Sequence, residues 1–345
     1  LETTWFVLWG LLWAVYFVLD GFDFGMGTLL PFLAKNDEEK RIIYNAAGPY
    51  WDGNEVWLIT AGGVTFGAFP KAHAGMFSAL YAPLLILLFA LIFRAVSFEF
   101  RNKKDCPQWR KFWDACQFLG NFLPALLLGV AFANLFMGIP IDGNGVYHGN
   151  IIKLLNPYGL AGGIFFVLIF CMHGALWLAL KSEGDIHERA VGAAQVVAVG
   201  EIHVTYSLCF AVALLFLALT AFYTNLYANY AEHPTLLVFP ILAVASLLTV
   251  RVMIWADNLL GAWFFSALFI ITVTFFGVLG MYPGIIISSI DPAYSVTVFN
   301  GASSQLTLKI MLGVTLCCIP VVIAYQAWVY YTFAHKVTPE SLQKD

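Results

Sequence analysis

Long apolar blocks alternate with short polar breaks along the whole chain. The blocks run Trp5–Leu33, Trp51–Phe69, Ala74–Phe100, Phe112–Pro140, Pro157–Leu180, Ala190–Tyr223, Thr235–Ile254, Leu259–Tyr282 and Gln305–Phe333. A helix needs about 20 apolar residues to cross the hydrocarbon core of a bilayer, and most of the blocks exceed that. The second is the short one. Its uninterrupted apolar part is Val56–Phe69, the length of a re-entrant or buried segment. The pattern predicts an all-α membrane protein of about nine transmembrane helices. Outer-membrane strands would instead show segments of about ten residues with alternating hydrophobicity.

Charge placement bears on the short block. With nine spans, the loops on one side hold Lys35, Lys40, Arg41, Arg101, Lys103, Lys104, Arg110, Lys111, Lys181, Arg189, Arg251, Lys336 and Lys344. The other side holds Lys71 and Lys153, so the split is thirteen against two. Without the second span it becomes ten against five. Basic residues concentrate in cytoplasmic loops, which favours nine spans, an outside N-terminus and a cytoplasmic C-terminus. The first block has no basic stretch before it and no small-residue cleavage site after it, so it is expected to be a retained helix.

The connections are short, and no linker or soluble domain is evident. The longest outside ones, Ile141–Asn156 and Pro283–Ser304, carry the Gly, Asn, Asp and Pro residues that turns require. The expected organisation is a single transmembrane domain. It comprises a four-helix unit over 1–140, a second over 157–282, a ninth helix over 305–333 and a cytoplasmic tail over 334–345.

Composition agrees with the pattern. Hydrophobic residues make up 61% of the chain and charged residues 11%, against about 25% charged in a soluble domain. No basic stripe interleaves with aromatic residues, so nucleic acid is not an expected partner. The six cysteines, Cys106, Cys116, Cys171, Cys209, Cys317 and Cys318, form no C-x-x-C pair. Four of them lie in apolar runs and read as small buried hydrophobes.

Ionisable side chains inside a span are costly, and they mark candidate functional sites. Asp20 and Asp23 lie three residues apart on the first span, hence on one helix face. Trp51, Asp52 and Glu55 open the second, with the two acids again three apart. Arg94 lies near the end of the third, with Glu99 just beyond. On the nine-span topology all of these sit toward the cytoplasmic side, so four acids and an arginine are expected to converge there. Neighbouring carboxylates in such a site cannot all ionise together, so the cluster suits a proton path. A structural ion pair that locks the bundle is equally consistent with these residues. His173 in the fifth block and Glu201 and His203 in the sixth are weaker signals. A helical His without an identifiable second ligand reads as a packed, hydrogen-bonded residue. Lys309, near the outer end of the last span, is expected to snorkel.

The stretches Asp20-Gly-Phe-Asp-Phe-Gly-Met-Gly27 and Trp51-Asp-Gly-Asn-Glu-Val-Trp-Leu-Ile-Thr-Ala-Gly-Gly63 resemble the N-terminal signature of cytochrome bd quinol oxidase subunit II. Phe93-Arg-Ala-Val-Ser-Phe-Glu-Phe-Arg101, Gly129-Val-Ala-Phe-Ala-Asn134, Leu155-Asn-Pro-Tyr-Gly-Leu160 and Ser303-Ser-Gln-Leu-Thr-Leu308 are similar to further motifs of that family. The resemblance implies two four-helix bundles plus one peripheral helix. It implies a heterodimer with a homologous subunit I in the bacterial cytoplasmic membrane, and leaves room for a small single-helix subunit. The complex would oxidise quinol and reduce oxygen to water. Its two b-type hemes and one heme d would be held by subunit I, with none ligated by this chain. For Asp20, Asp23, Trp51, Asp52 and Arg94 the resemblance implies a proton or structural role.

Two other classes fit the bare residues. A proton-coupled secondary transporter would use paired acids in the same way, but at the midplane and between inverted repeats. A pure assembly subunit would carry the acids for structure alone.

Overall fold

The computed structural model describes residues 1–194 and 204–343. Helix α1 is Glu2–Leu33 and α2 Asp37–Ala47; α3 is Trp51–Ala68, α4 Pro70–Ala79 and α5 Tyr81–Phe100. The chain continues through α6 Pro107–Met137, α7 Ile151–Leu154, α8 Pro157–Lys181 and α9 Gly184–Ala194. Then come α10 Val204–Tyr223, α11 Leu226–Glu232, α12 Val238–Trp255, α13 Leu259–Met281 and α14 Gln305–Thr332. Eight of these helical segments are long and apolar enough to cross a membrane.

Helix α3 is not one of the eight, yet it runs the depth of the bundle. Asn54, near its start, meets Asp23 of α1, and Thr65, near its end, accepts a hydrogen bond from Trp9 Nε1 at 2.9 Å. The second block therefore lies antiparallel along α1 rather than re-entering. One end of the bundle, the basic end, gathers Arg101, Arg189 and Lys181.

Polar breaks set the helix starts. Asn156, Asn258 and Ser304 each accept a hydrogen bond from the amide three residues on, which satisfies a helix-end donor. Pro107 and Pro157 occupy first-turn positions, where a missing amide costs nothing.

Several expected boundaries move. The third block is two helices that break at Leu80, because the ring of Pro83 opposes the carbonyl of Ala79 and offers it no donor. Of the sixth block, the described residues are the end of α9 and the whole of α10, and Glu201 and His203 lie outside the described residues. The connection after α13 is more than a turn: Gly284–Ile286 pairs antiparallel with Val296–Thr297. Cys317 and Cys318 are exposed on α14 rather than buried.

Helix α1 is the axis of the assembly, packed against α3, α6, α8 and α13. Its crossing with α8 depends on two glycines. A Cβ on Gly25 would stand 1.8 Å from the Phe170 carbonyl oxygen, and one on Gly174 would stand 2.5 Å from the Met26 nitrogen. Small residues at such a crossing let backbones touch, which is how helices associate where lipid removes the hydrophobic drive. By contrast α14 buries only Leu308, so it lies at the periphery.

Replacing Gly25 by Ala forces α1 and α8 apart, because the obstacle is backbone. We expect a lower thermal midpoint for purified protein, by overpacking worth about 1–3 kcal/mol or more. Gly62→Ala meets open space and serves as the control. Equal midpoints for the two variants would refute the close-packing account.

Candidate functional site: a buried acid–arginine cluster

Arg94 sits on α5 with its side chain fully buried. Such a charge needs compensation, and two other helices supply it. Nη1 lies 2.8 Å from Asp20 Oδ1 on α1, and Nη2 donates to Glu55 Oε1 on α3 at 2.5 Å. The guanidinium also stacks over the Phe24 ring at 4.8 Å. From α6, Asn121 Oδ1 lies 3.5 Å from Nη1. That approach requires Gly120, where a Cβ would stand 2.9 Å from the Arg94 nitrogen. One planar cation thereby ties α1, α3 and α5 together, with two acids sharing its fork.

Asp23 lies one turn further along α1 and does not touch Arg94. Its Oδ2 accepts from Asn54 Nδ2 at 2.8 Å, and that amide also lies 3.0 Å from the Leu19 carbonyl. Asn54 Oδ1 in turn accepts from Tyr330 OH of α14 at 3.0 Å. Gln326, one turn earlier on α14, accepts from Trp57 Nε1 and donates to the Gly53 carbonyl, both at 2.9 Å. The peripheral helix thus reaches α3 through two polar side chains, and the acid cluster through Tyr330 and Asn54.

Buried atoms at this level without a hydrogen bond from the described residues include both Asp20 carboxylate oxygens, Asp23 Oδ1, Tyr16 OH and Arg94 Nε, although Asp20 Oδ1 is ion-paired with Arg94. Buried polar atoms normally find a protein or water partner. Tyr16, Asp20 and Asp23 all lie within two turns of α1, so this stretch offers adjoining sites to water.

Asp20, Glu55 and Arg94 form the ion-paired centre, and Asp23, one turn further along α1, is held beside it by Asn54. Asp52 is exposed on the first turn of α3 and makes no ion pair among the described residues, so the expected convergence of four acids narrows to three. Trp51 lies flat on Phe98, rings 5.1 Å apart and 3° from parallel, which seats the start of α3 on α5. Glu99 is exposed. Asn54, Asn121, Gln326 and Tyr330 are absent from the sequence-based candidates, because neutral polar residues carry no charge to flag them in an apolar run.

An ion-pair collar surrounds the basic end. Arg101, itself buried, lies 2.6 Å from Asp114 and 2.7 Å from Asp37, and Arg189 lies 2.6 Å from Glu39. Burial alone would raise the Glu39 carboxyl, but the Lys35 amide and Arg189 outweigh it and hold it below the ordinary value.

His173 is buried in α8. One ring nitrogen lies 2.6 Å from Ser266 Oγ and the other 3.0 Å from the Val18 carbonyl. With both nitrogens engaged the ring offers no free ligand atom, so it does not fit a heme iron. Among the described residues, no three His, Cys, Asp or Glu side chains group in a way suited to a metal ion.

A family model described as cytochrome bd terminal oxidase subunit II matches residues 1–333. The chain is 36% identical over 344 residues to the cytochrome bd ubiquinol oxidase subunit 2 of Bacillus subtilis, covering 98% of this chain and 97% of that one. It is 34% identical to the cytochrome bd-I ubiquinol oxidase subunit 2 of Escherichia coli K12, covering 100% and 97%. Among solved structures, the bd oxidase from Geobacillus thermodenitrificans aligns with a TM-score of 0.74 over 96% of this chain and 98% of the matched chain. Identity there is 14%, so that likeness concerns the fold alone.

Replacing Arg94 by Met strands the buried Asp20 carboxylate and the half-buried one of Glu55. Breaking a buried pair costs about 3–5 kcal/mol, so the thermal midpoint should fall sharply. Adding Asp20→Asn to Arg94→Met should recover part of that loss, because one stranded charge disappears. An unchanged midpoint for Arg94→Met would mean that the cluster does not hold the helices.

Proposed function

Since the chain belongs to the cytochrome bd terminal oxidase subunit II family, and is a subunit of a membrane oxidoreductase complex, we propose that it delivers protons to a quinol-oxidising, oxygen-reducing centre in its partner. The partner is a heme-bearing subunit I, beside which a small single-helix subunit has room. Two b-type hemes and one heme d, held by that partner, supply the electron transfer and the oxygen-binding centre. This chain's own residues bind the partner, exclude lipid from the acid cluster and hold protons in it. With the basic end cytoplasmic and the N-terminus outside, protons enter from the cytoplasm. Oxygen reduction consumes protons and quinol oxidation releases them. Uptake on one side with release on the other builds a gradient without a pump.

The observation that carries the reading is how the acids divide. Asp20 and Glu55 hold Arg94, whereas Asp23 is bonded by the neutral amide of Asn54. Asp23 can therefore gain or lose a proton without breaking the ion pair. Asp52 stands exposed at the start of α3, three residues before Glu55, as the entry acid. The match along the whole chain favours this reading over a transporter. A second reading, in which the cluster is only a lock, is favoured by the Asp20–Arg94–Glu55 pairs taken alone.

In the purified complex, Asp23→Asn should lower oxygen consumption several-fold while the heme spectrum stays normal. Asp52→Asn should lower it less, since an exposed entry acid is replaceable by solvent. Full turnover of a normally hemylated Asp23→Asn complex would leave only the lock. Loss of heme together with activity would also favour the lock.

A further inference from the structure

Lys181 ends α8 at the basic end, and only 4% of it is exposed. A buried ammonium calls for an anion, yet no carboxylate lies within ion-pair distance among the described residues. Its Nζ donates to the Phe333 carbonyl at 2.5 Å, and it lies 5.2 Å from the Tyr50 ring centre and 5.1 Å from that of Trp177. Phe333 is the residue directly after α14. The last carbonyls of a helix lack partners and form the negative end of its dipole, so a cation there is favoured. Tyr50 OH donates to the same carbonyl at 2.6 Å, and the Lys181 carbonyl accepts from the Val337 amide at 2.7 Å. Both ends of Lys181 therefore grip the segment that follows α14.

The grip matters because α14 is held by few contacts, chiefly the Gln326 hydrogen bonds to α3 and the packing of Tyr330 on Tyr50 and Trp177. Only Leu308 is buried along its length, and that residue lies near the far end. Each residue of a helix turns it by about 100°, so a small rotation of α14 swings Tyr330 away. Tyr330 is three residues before Phe333, and its hydroxyl donates to Asn54, which bonds Asp23.

We infer that Lys181 is a positioning residue for the acid cluster: by clamping the end of α14 it holds Tyr330 on Asn54 and so fixes the hydrogen bond to Asp23. The inference rests on the proton-delivery reading, because it predicts an effect on turnover through Asp23. Lys181 touches neither the acids nor any reacting group.

The test compares Lys181→Met, Lys181→Arg, Tyr330→Phe, Asp23→Asn and the Lys181→Met/Tyr330→Phe double variant in the purified complex. Two quantities are read: hydrogen exchange over residues 326–343, and oxygen consumption at matched heme content. Lys181→Met should speed exchange in that segment and lower turnover several-fold, with the KM for quinol unchanged. Lys181→Arg should restore both, since it keeps the cation. The double variant should be no slower than the worse single variant, because both act on one bond. Unchanged exchange in Lys181→Met overturns the clamp. Faster exchange with full turnover, while Asp23→Asn is slow, overturns the link from clamp to cluster. Additive losses in the double variant also overturn that link. Full turnover in Asp23→Asn as well brings down the proton-delivery reading itself, and the functional half of the inference with it, while the exchange result still decides the clamp.

Discussion

A single guanidinium, buried where three helices meet, sets the geometry of the first half of the chain. Arg94 cannot face lipid, and inside the bundle it is tolerable only if carboxylates reach it. Asp20 and Glu55 do so from α1 and α3, 2.8 Å and 2.5 Å away. Arginine suits this junction better than lysine. Its planar fork serves two carboxylates in different directions while one face lies on Phe24. An ammonium is a point charge that would favour one partner.

Such a junction demands close backbones, which explains where the glycines fall. Gly120 lets α6 approach the backbone of Arg94, and Gly25 with Gly174 lets α1 lie on α8. The polar cost of the fold is thus concentrated along α1, which is enclosed by four other helices. Helix α14 solves a different problem. Its packed face is narrow, with Leu308 buried and Met311, Leu312, Ile319 and Val322 partly buried against the core, and between helices in lipid apolar contact supplies little preference. Its attachment is therefore polar: Gln326 on Trp57 and Gly53, Tyr330 on Asn54, and Lys181 with Tyr50 on its terminal carbonyl.

Much of this was legible in the chain, for identifiable reasons. Apolar blocks long enough to span reveal themselves by length, and charges within them stand out against carbon. The blocks themselves, Asp20, Asp23, Glu55 and Arg94 were found that way. The break at Leu80 was less visible, because Pro83 sits in an apolar run whose hydropathy it does not lower. The strand pairing of Gly284–Ile286 with Val296–Thr297 depends on a connection that composition marks only as turn-forming. Tyr330 and Asn54 are 276 positions apart, and neither has a charge or a motif that points to the other. Helical spacing groups Asp52 with Glu55, because it fixes relative direction along one helix. It does not say which neighbour that face meets.

The lock and the proton site need not be rivals. A cluster that must change protonation during turnover cannot also rest its stability on the group that changes. Asp20 and Glu55 are committed to Arg94, and removing charge from either weakens the junction of three helices. Asp23 is committed only to a neutral amide, which donates to the ionised form and can accept a hydrogen bond from the protonated acid only by reorienting. Tyr330 donates to the oxygen of that amide and so holds it in the donating orientation, aimed at Asp23. The arrangement therefore separates a fixed charge cluster from a single adjustable acid, and it places control of that acid's neighbour on the peripheral helix α14.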